Sequence, residues 1–381
     1  MNPLFIDLHP LSQAATDDAL EFIYKSTHDH DAGIWGPHES ILIRRLIELF
    51  TQRGLDRLEH VKQQIIAWES GAHYKESSVK VTPPGMMERW NEQELGLVRI
   101  YLESLFPGDW TLDDHMMAVD YVVQRYLPAD ALKTEAEWLA TRSGMMGKVQ
   151  ANMAAQADSK QADAILAALP STVGEASAQF NLQAQLKAVL NFARVRTAEN
   201  VRALTESARH RMRSTIVQHL EDQQSAVPGT PGQSLEQKLF DQFATLNRDW
   251  RRIAVTEAGE AQTQGYIASL QPGTKVKRIE QYANACRFCK KIHGVVATVV
   301  SPDHPNKDPD TMIWVGKNNI GRSASPRKRV GDMLVARDPD EMWWLPAGLA
   351  HPHCRGRWVP VIEDQPGDDP EFGDWLRQAL S

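Results

Sequence analysis

Only three cysteines occur in 381 residues, and all three lie after position 285. That is too few for a disulfide framework, so the sulfur points to a reducing compartment and to one localised use. No apolar run approaches the roughly 20 residues that span a bilayer. The opening Met1-Asn2-Pro3-Leu4-Phe5 carries no basic stretch ahead of an apolar one, so neither anchor nor secretion signal is expected. Basic charge is not in surplus: the net charge is −7, and Glu363 to Ser381 holds six acids against Arg377. Any nucleic-acid contact therefore needs a local basic patch. No repeat of fixed period is evident. What is present is a globular composition: 42% hydrophobic and 24% charged residues exclude collagen-like, mostly disordered and membrane-embedded classes. The length favours two or three domains.

Up to about residue 225 the apolar residues recur at helical spacing, as in Ile43, Leu46, Ile47, Phe50, then Leu58, Val61, Ile65, Trp68, then Leu95, Val98, Leu102, Leu105. Breaks at Gly54, Pro83-Pro84-Gly85, Pro107-Gly108-Asp109 and Pro128 divide the first 130 residues into short helices, and residues 1–150 read as a helical N-terminal domain. Ala151 to Asp163 is polar and lacks an apolar stripe, which reads as a connector or surface helix. Residues 151–270 read as a long-helix hairpin. Leu182, Leu186, Val189 and Ala193, then Val201, Leu204, Ala208, Met212 and Ile216, mark its first arm, which ends at Pro228-Gly229-Thr230-Pro231-Gly232. Ser234 and Gln237 form a capping-box pattern opening the second, whose buried face is Leu235, Leu239, Phe243, Leu246 and Trp250.

After Gln271-Pro272-Gly273 the texture changes to short β-branched or aromatic runs: Val295 to Val300, Met312 to Val315, Met333 to Ala336, Met342 to Leu345 and Trp358 to Ile362. Residues 271–362 thus read as a small α+β module, and 363–381 as an acidic tail. The polar stretches Ser301 to Asp310 and Lys317 to Arg329 are long for so small a core, so a staple is expected. Cys286-Arg287-Phe288-Cys289 is a C-x2-C pair, and His351-Pro352-His353-Cys354 supplies a second pair 65 residues beyond Cys289. Two knuckles using every cysteine suit a closed, four-ligand structural zinc site of Cys286, Cys289, His351 and Cys354. His353 and His293 are alternative histidine ligands. A redox C-x2-C is the lesser rival, since no thioredoxin-like pattern surrounds it. His28, Asp29, His30, Asp31 and His38 form a second cluster, read as a solvated loop.

At these residues the C-terminal half resembles the phage Mu F-like head morphogenesis, or minor head protein, family, which includes relatives in Bacillus phages. Arg252-Ile253-Ala254-Val255-Thr256-Glu257, at the end of the second hairpin helix, resembles the family's helix with a Thr-Glu pair. Cys286 to Cys289 with Ile292-His293-Gly294, and His351-Pro352-His353-Cys354-Arg355, resemble its remaining signatures. Gly356 stands where the family often has a further Cys, and Ala350 where a Pro is common. The likeness covers roughly residues 180 to 362. It implies a protein present in few copies, added near the portal, that helps assembly or genome delivery; some relatives are fused to toxin domains.

Three functions follow as expectations. The first is a non-enzymatic minor head component, located in the virion and in the host cytoplasm during assembly. Its partners are portal or capsid proteins and, through a mobile basic loop of Lys317, Arg322, Arg327, Lys328 and Arg329, packaged DNA. The second is a His-Asn-His-like metal-dependent endonuclease using Asp303-His304-Pro305 and Asn318. The third, an ADP-ribosyltransferase, lacks its residue series. Glu257 reads as a helix-surface or hairpin-locking charge beside Arg252, Trp343 and Trp344 as core, and the Trp375-Leu376 stub as a partner dock or a cover for the sheet edge.

Overall fold

The structure, a computed structural model, describes residues 40–77, 81–85, 89–152, 159–225, 233–280, 285–352, 354–361 and 370–380. The cluster of His28, Asp29, His30, Asp31 and His38, the break at 228–232 and the alternative ligand His353 lie outside them. The chain is mainly helical, with a small α+β region near its C-terminal end. Contacts gather the described residues into two compact units. One contains Thr51–Thr134 and Glu199–Arg251; the other contains the described parts of Tyr24–Phe50, Glu135–Ala198 and Arg252–Ser381. The divisions read at 150, 270 and 362 follow breaks in periodicity. The contact boundaries instead fall inside four continuous helices, where the sequence has no break to read.

In the first unit lie most of α1 (Ile41–Glu69), all of α2 (Glu92–Ser104) and α3 (Leu112–Tyr126), and the ends of three long helices. Asn91 caps α2 in a reciprocal box with Glu94, and Thr111 caps α3 with Asp114, so both start where the orphan N–H groups find side-chain acceptors. The expected break at Gly54 is absent: α1 runs straight through it. A Cβ at Gly54 would sit 1.9 Å from the Trp250 ring, so this glycine is the seat of an indole. Asp120, 2% exposed, accepts from Arg209 at 2.7 and 3.1 Å and from Arg213 at 2.9 Å, which pairs the buried charge.

The long helices are α4 (Ala129–Asn152), α7 (Ala184–Ser225) and α8 (Leu235–Ala268), with the shorter α5 (Ser159–Ala168) and α6 (Val173–Gln179) between the first two. The stretch from Ala151 to Asp163, read as a connector or surface helix, lies outside the described residues over 153–158 and then enters α5, which buries Ala162 and, beyond that stretch, Ile165 and Leu166. α7 and α8 run antiparallel: Arg211 bonds Gln242 within the first unit, and Arg196 bonds Glu257 within the second. The Ser234–Gln237 box is formed, and Leu239, Phe243, Leu246 and Trp250 are buried as their spacing requires. Thr256 and Glu257 fall in the middle of α8 rather than at its end, because the helix continues to Ala268. In the second unit α4 crosses α8 closely; a Cβ on Gly147 would stand 2.2 Å from the Gln262 carbonyl oxygen, and one on Gly265 2.2 Å from that of Gly144.

The sheet has the order β3-β2-β1-β6, formed by β1 (Lys275–Ile279), β2 (Val296–Val299), β3 (Met312–Ile313) and β6 (Arg357–Pro360). β1 is antiparallel to both neighbours, and β2 pairs β3 in parallel. A separate ribbon joins β4 (Arg327–Val330) to β5 (Met333–Ala336). The core beneath the sheet includes Tyr266, Ile267, Val276, Cys289, Ala297, Val299, Ile313, Cys354 and Trp358. Three sequence readings need correction. Met342–Leu345 contributes only an isolated bridge, Ser323 to Met342. β1 and β4 escape hydrophobic pattern reading because their solvent positions carry Lys and Arg. The C-terminal stub forms α10 (Pro370–Leu380), which lies against α5 rather than a sheet edge; Phe372 is 1% exposed, against Phe180 and beneath the Lys148 ammonium.

Candidate metal centre

Cys286 is the N-cap of α9 (Arg287–Ile292), and its Sγ accepts the Cys289 backbone N–H at 3.4 Å, so the C-x2-C pair is the first turn of a helix. The second knuckle is a tight turn in which the Cys354 N–H donates to the His351 carbonyl at 3.0 Å. His351 Nε2 lies 3.4 Å from Cys286 Sγ and 3.2 Å from Cys289 Sγ, and the sulfurs of Cys289 and Cys354 are 4.0 Å apart. Cys286, Cys289 and His351 form one set of mutually close ligand atoms; Cys289, Cys354 and Glu280 form a second, sharing Cys289. The four expected ligands sit close together and can bind a metal ion. The alternative His293 is spent elsewhere, since its Nδ1 accepts the Glu280 backbone N–H at 3.0 Å.

The surroundings favour thiolates. The Cys289 thiol bonded to Cys354 holds the Cys354 thiol well below its ordinary range; burial opposes this, while Arg278 and the backbone around Ala350 and Gly356 support it. Burial raises the Cys286 thiol, but bonds from Cys289 and His351 outweigh it, and the net direction is down. Burial also lowers His351; the Pro352 carbonyl and the sulfurs of Cys354 and Cys286 reverse it, and the net direction is up. His351 Nδ1 is 2.8 Å from the Pro352 oxygen, which orients Nε2 toward the sulfurs, and its ring stacks on Trp343 at 5.3 Å.

Beneath the sulfurs lies a fully buried ion pair. Arg278 Nε donates to Glu280 at 2.8 Å, Nη1 to the Gly348 carbonyl at 2.9 Å, and Nη2 faces Cys354 Sγ at 3.7 Å. A Cβ at Gly356 would lie 1.9 Å from the Glu280 carboxylate, so this carboxylate fills the space a side chain there would occupy. The His-x2-Cys loop is tied down on both sides: Glu260 of α8 accepts the Leu349 N–H at 2.5 Å, and Asn319 donates to the Ala350 carbonyl at 2.9 Å.

The expected basic loop is largely structural. Lys317 is 1% exposed, its ammonium donating to Pro309 and Met312 carbonyls at 2.6 and 2.7 Å and facing the Trp314 and Trp344 rings. Arg322 stacks on Trp344 at 3.8 Å and donates to the Met342 carbonyl. Lys328 pairs with Glu341 at 2.6 Å. Burial therefore takes Lys317 out of any phosphate surface, Arg322 is half-buried on its indole, and Arg327 and Arg329 stand exposed on the ribbon. His304 Nδ1 accepts the Asn306 N–H and joins no metal-binding group among the described residues, and Asn318 is used within its own turn.

Sequence reading missed two features. The Arg278–Glu280 pair was hidden inside an unrecognised strand. The exposed cations of β1 and α9 were passed over for the later loop, although residues 275–300 contain a single acid, Glu280. No protein-family model, curated protein or solved structure matches the chain.

Proposed function

We propose that Cys286, Cys289, His351 and Cys354 hold one structural zinc ion, and that the chain is a non-enzymatic minor head protein of the Mu F-like kind. The observation that carries the zinc reading is the convergence of two knuckles 65 residues apart. A tetrahedral zinc with bonds of about 2.0 Å to nitrogen and 2.3 Å to sulfur sets its ligand atoms roughly 3.5–3.8 Å apart, and the contacts of 3.2, 3.4 and 4.0 Å lie around that range. Three thiolates leave such a centre anionic, and the buried Arg278 guanidinium faces that charge. Four protein ligands leave no open position for a substrate, which supports a scaffold role. The Thr-Glu pair supports it too: Glu257 is 3% exposed and locks α8 to α7 through Arg196 at 2.7 Å and Thr197 at 3.2 Å.

In this reading the helices dock on portal or capsid proteins inside the virion, after assembly in the host cytoplasm, and Arg327 and Arg329 touch packaged DNA. Metal analysis of the purified chain should give about one zinc per molecule. Cys286→Ser and Cys354→Ser should each lower zinc content and thermal stability. Metal-free protein of undiminished stability would end the zinc reading. Failure to co-purify with the portal and capsid proteins of its own phage would end the head-protein reading.

A further inference from the structure

We infer that the solvent face of β1 and its neighbours, continued by α9, is a sequence-independent contact for the phosphate backbone of double-stranded DNA. The register sets Lys275 beside Thr298, and Lys277 beside both Val296 and Val359, so these side chains share the face opposite Val276 and the core. Gly294, two residues past the end of α9, lies against this face: a Cβ there would be 4.0 Å from Lys277 Cε. α9 itself presents Arg287, Lys290 and Lys291, all exposed. Residues 275–300 thus expose five cations, and their single acid, Glu280, is buried on Arg278.

Four of these cations stand unpaired. Among the described residues, the side chains of Lys277, Arg287, Lys290 and Lys291 make no ion pair or hydrogen bond, whereas other surface cations such as Lys75, Arg125 and Lys328 each face an acid. A cluster of uncompensated positive charge on a chain of net −7 repels itself and is complementary to a polyanion. Lys275 and Lys277 stand about 6.6 Å apart along the strand, two rises of roughly 3.3 Å, which lets them follow a charged backbone. A single strand would need exposed aromatic platforms, and among the described residues of 275–300 the one Phe, Tyr or Trp ring, Phe288, is half-buried against Trp343. A lipid surface would need a larger apolar face, and Val296 is the one well-exposed apolar residue in the pairing around Lys277. The inference rests on the nucleic-acid part of the function proposed above, moves the principal contact to a new site, and is independent of the portal.

The test uses the full-length, metal-replete chain with two 30-base-pair duplexes of unrelated sequence, titrated across a salt series by fluorescence anisotropy. Both duplexes should bind equally, with log K falling against log salt at a slope of about 4, near 0.9 per neutralised phosphate. K277E/K290E/K291E should weaken binding at least tenfold and reduce the slope by about 3, while K277R/K290R/K291R retains binding. Zinc content and thermal midpoint, unchanged in both variants, would confirm folding. The ribbon variant R327E/R329E should cost much less. The inference is overturned if K277E/K290E/K291E binds like the wild type, if R327E/R329E alone abolishes binding, or if phosphatidylserine vesicles are bound and duplex is not. Loss of portal co-purification with DNA binding intact would sink the head-protein reading alone.

Discussion

Lys317 illustrates how a residue's chemistry departs from its sequence context. In a run of Lys, Arg, Gly and Ser it reads as a mobile cation, yet two carbonyls and two indoles enclose it. Burial pulls its ammonium down to about 8, against the raising effect of Asp310 and Asp308. The unfolded chain keeps that proton up to about 10.5, so between those values the unfolded state binds more protons and the Lys317 contribution to stability rises with pH. Nuclear magnetic resonance of 13C-methylated lysines should find one resonance with a midpoint near 8; a full set titrating above 10 would disprove it. The Arg278–Glu280 pair makes the second prediction at this scale. Both side chains are fully buried, so Glu280→Ala strands a guanidinium beside the sulfurs and should cost about 3–5 kcal/mol in chemical denaturation. A loss below 1 kcal/mol would mean the pair is dispensable. The convergence of Cys286, Cys289, His351 and Cys354 was legible because cysteine is so scarce here. The pair beneath them was not, since nothing in Lys-Val-Lys-Arg-Ile tells which cation turns inward.

Among the elements, those with strong periodicity were readable. The α8 stripe of Leu239, Phe243, Leu246 and Trp250 and the Ser234–Gln237 box both form, because helix register and capping are local. Gly54 was misread because a helix-breaking residue and a helix-packing residue look alike in sequence. Its role predicts a sign change. Gly54→Ala should destabilise the wild type by about 1–3 kcal/mol through overlap with Trp250. In a Trp250→Leu background the same change should stabilise by up to about 1 kcal/mol, the helix propensity difference. Thermal denaturation of the four-protein cycle measures it, and equal effects in both backgrounds would remove the indole from the explanation. Strands failed where alternation was disguised: β1 buries Val276 and Arg278 while exposing lysines, so its period of two is written partly in charge.

For the whole molecule, metal removal is the informative perturbation. If metal affinity is folding free energy for the small sheet and its loops, chelation should raise amide hydrogen exchange in β1, β2 and α9, with the helices of Thr51–Thr134 keeping their protection. Unchanged exchange in the sheet on stripping the metal would show that the cation–π and carbonyl contacts around Trp314, Trp344 and Lys317 suffice without an ion. The sequence by itself determined the helix content, the antiparallel long pair, the small α+β end and the paired Cys/His knuckles, because each depends on spacing within a few residues or on the rarity of one residue type. Tertiary structure alone decided which of the cations are buried, which glycines are seats for neighbours, and where the contact units divide. Those outcomes depend on what arrives from distant parts of the chain, and hydrophobic burial and desolvation act on that assembled neighbourhood rather than on the sequence next door.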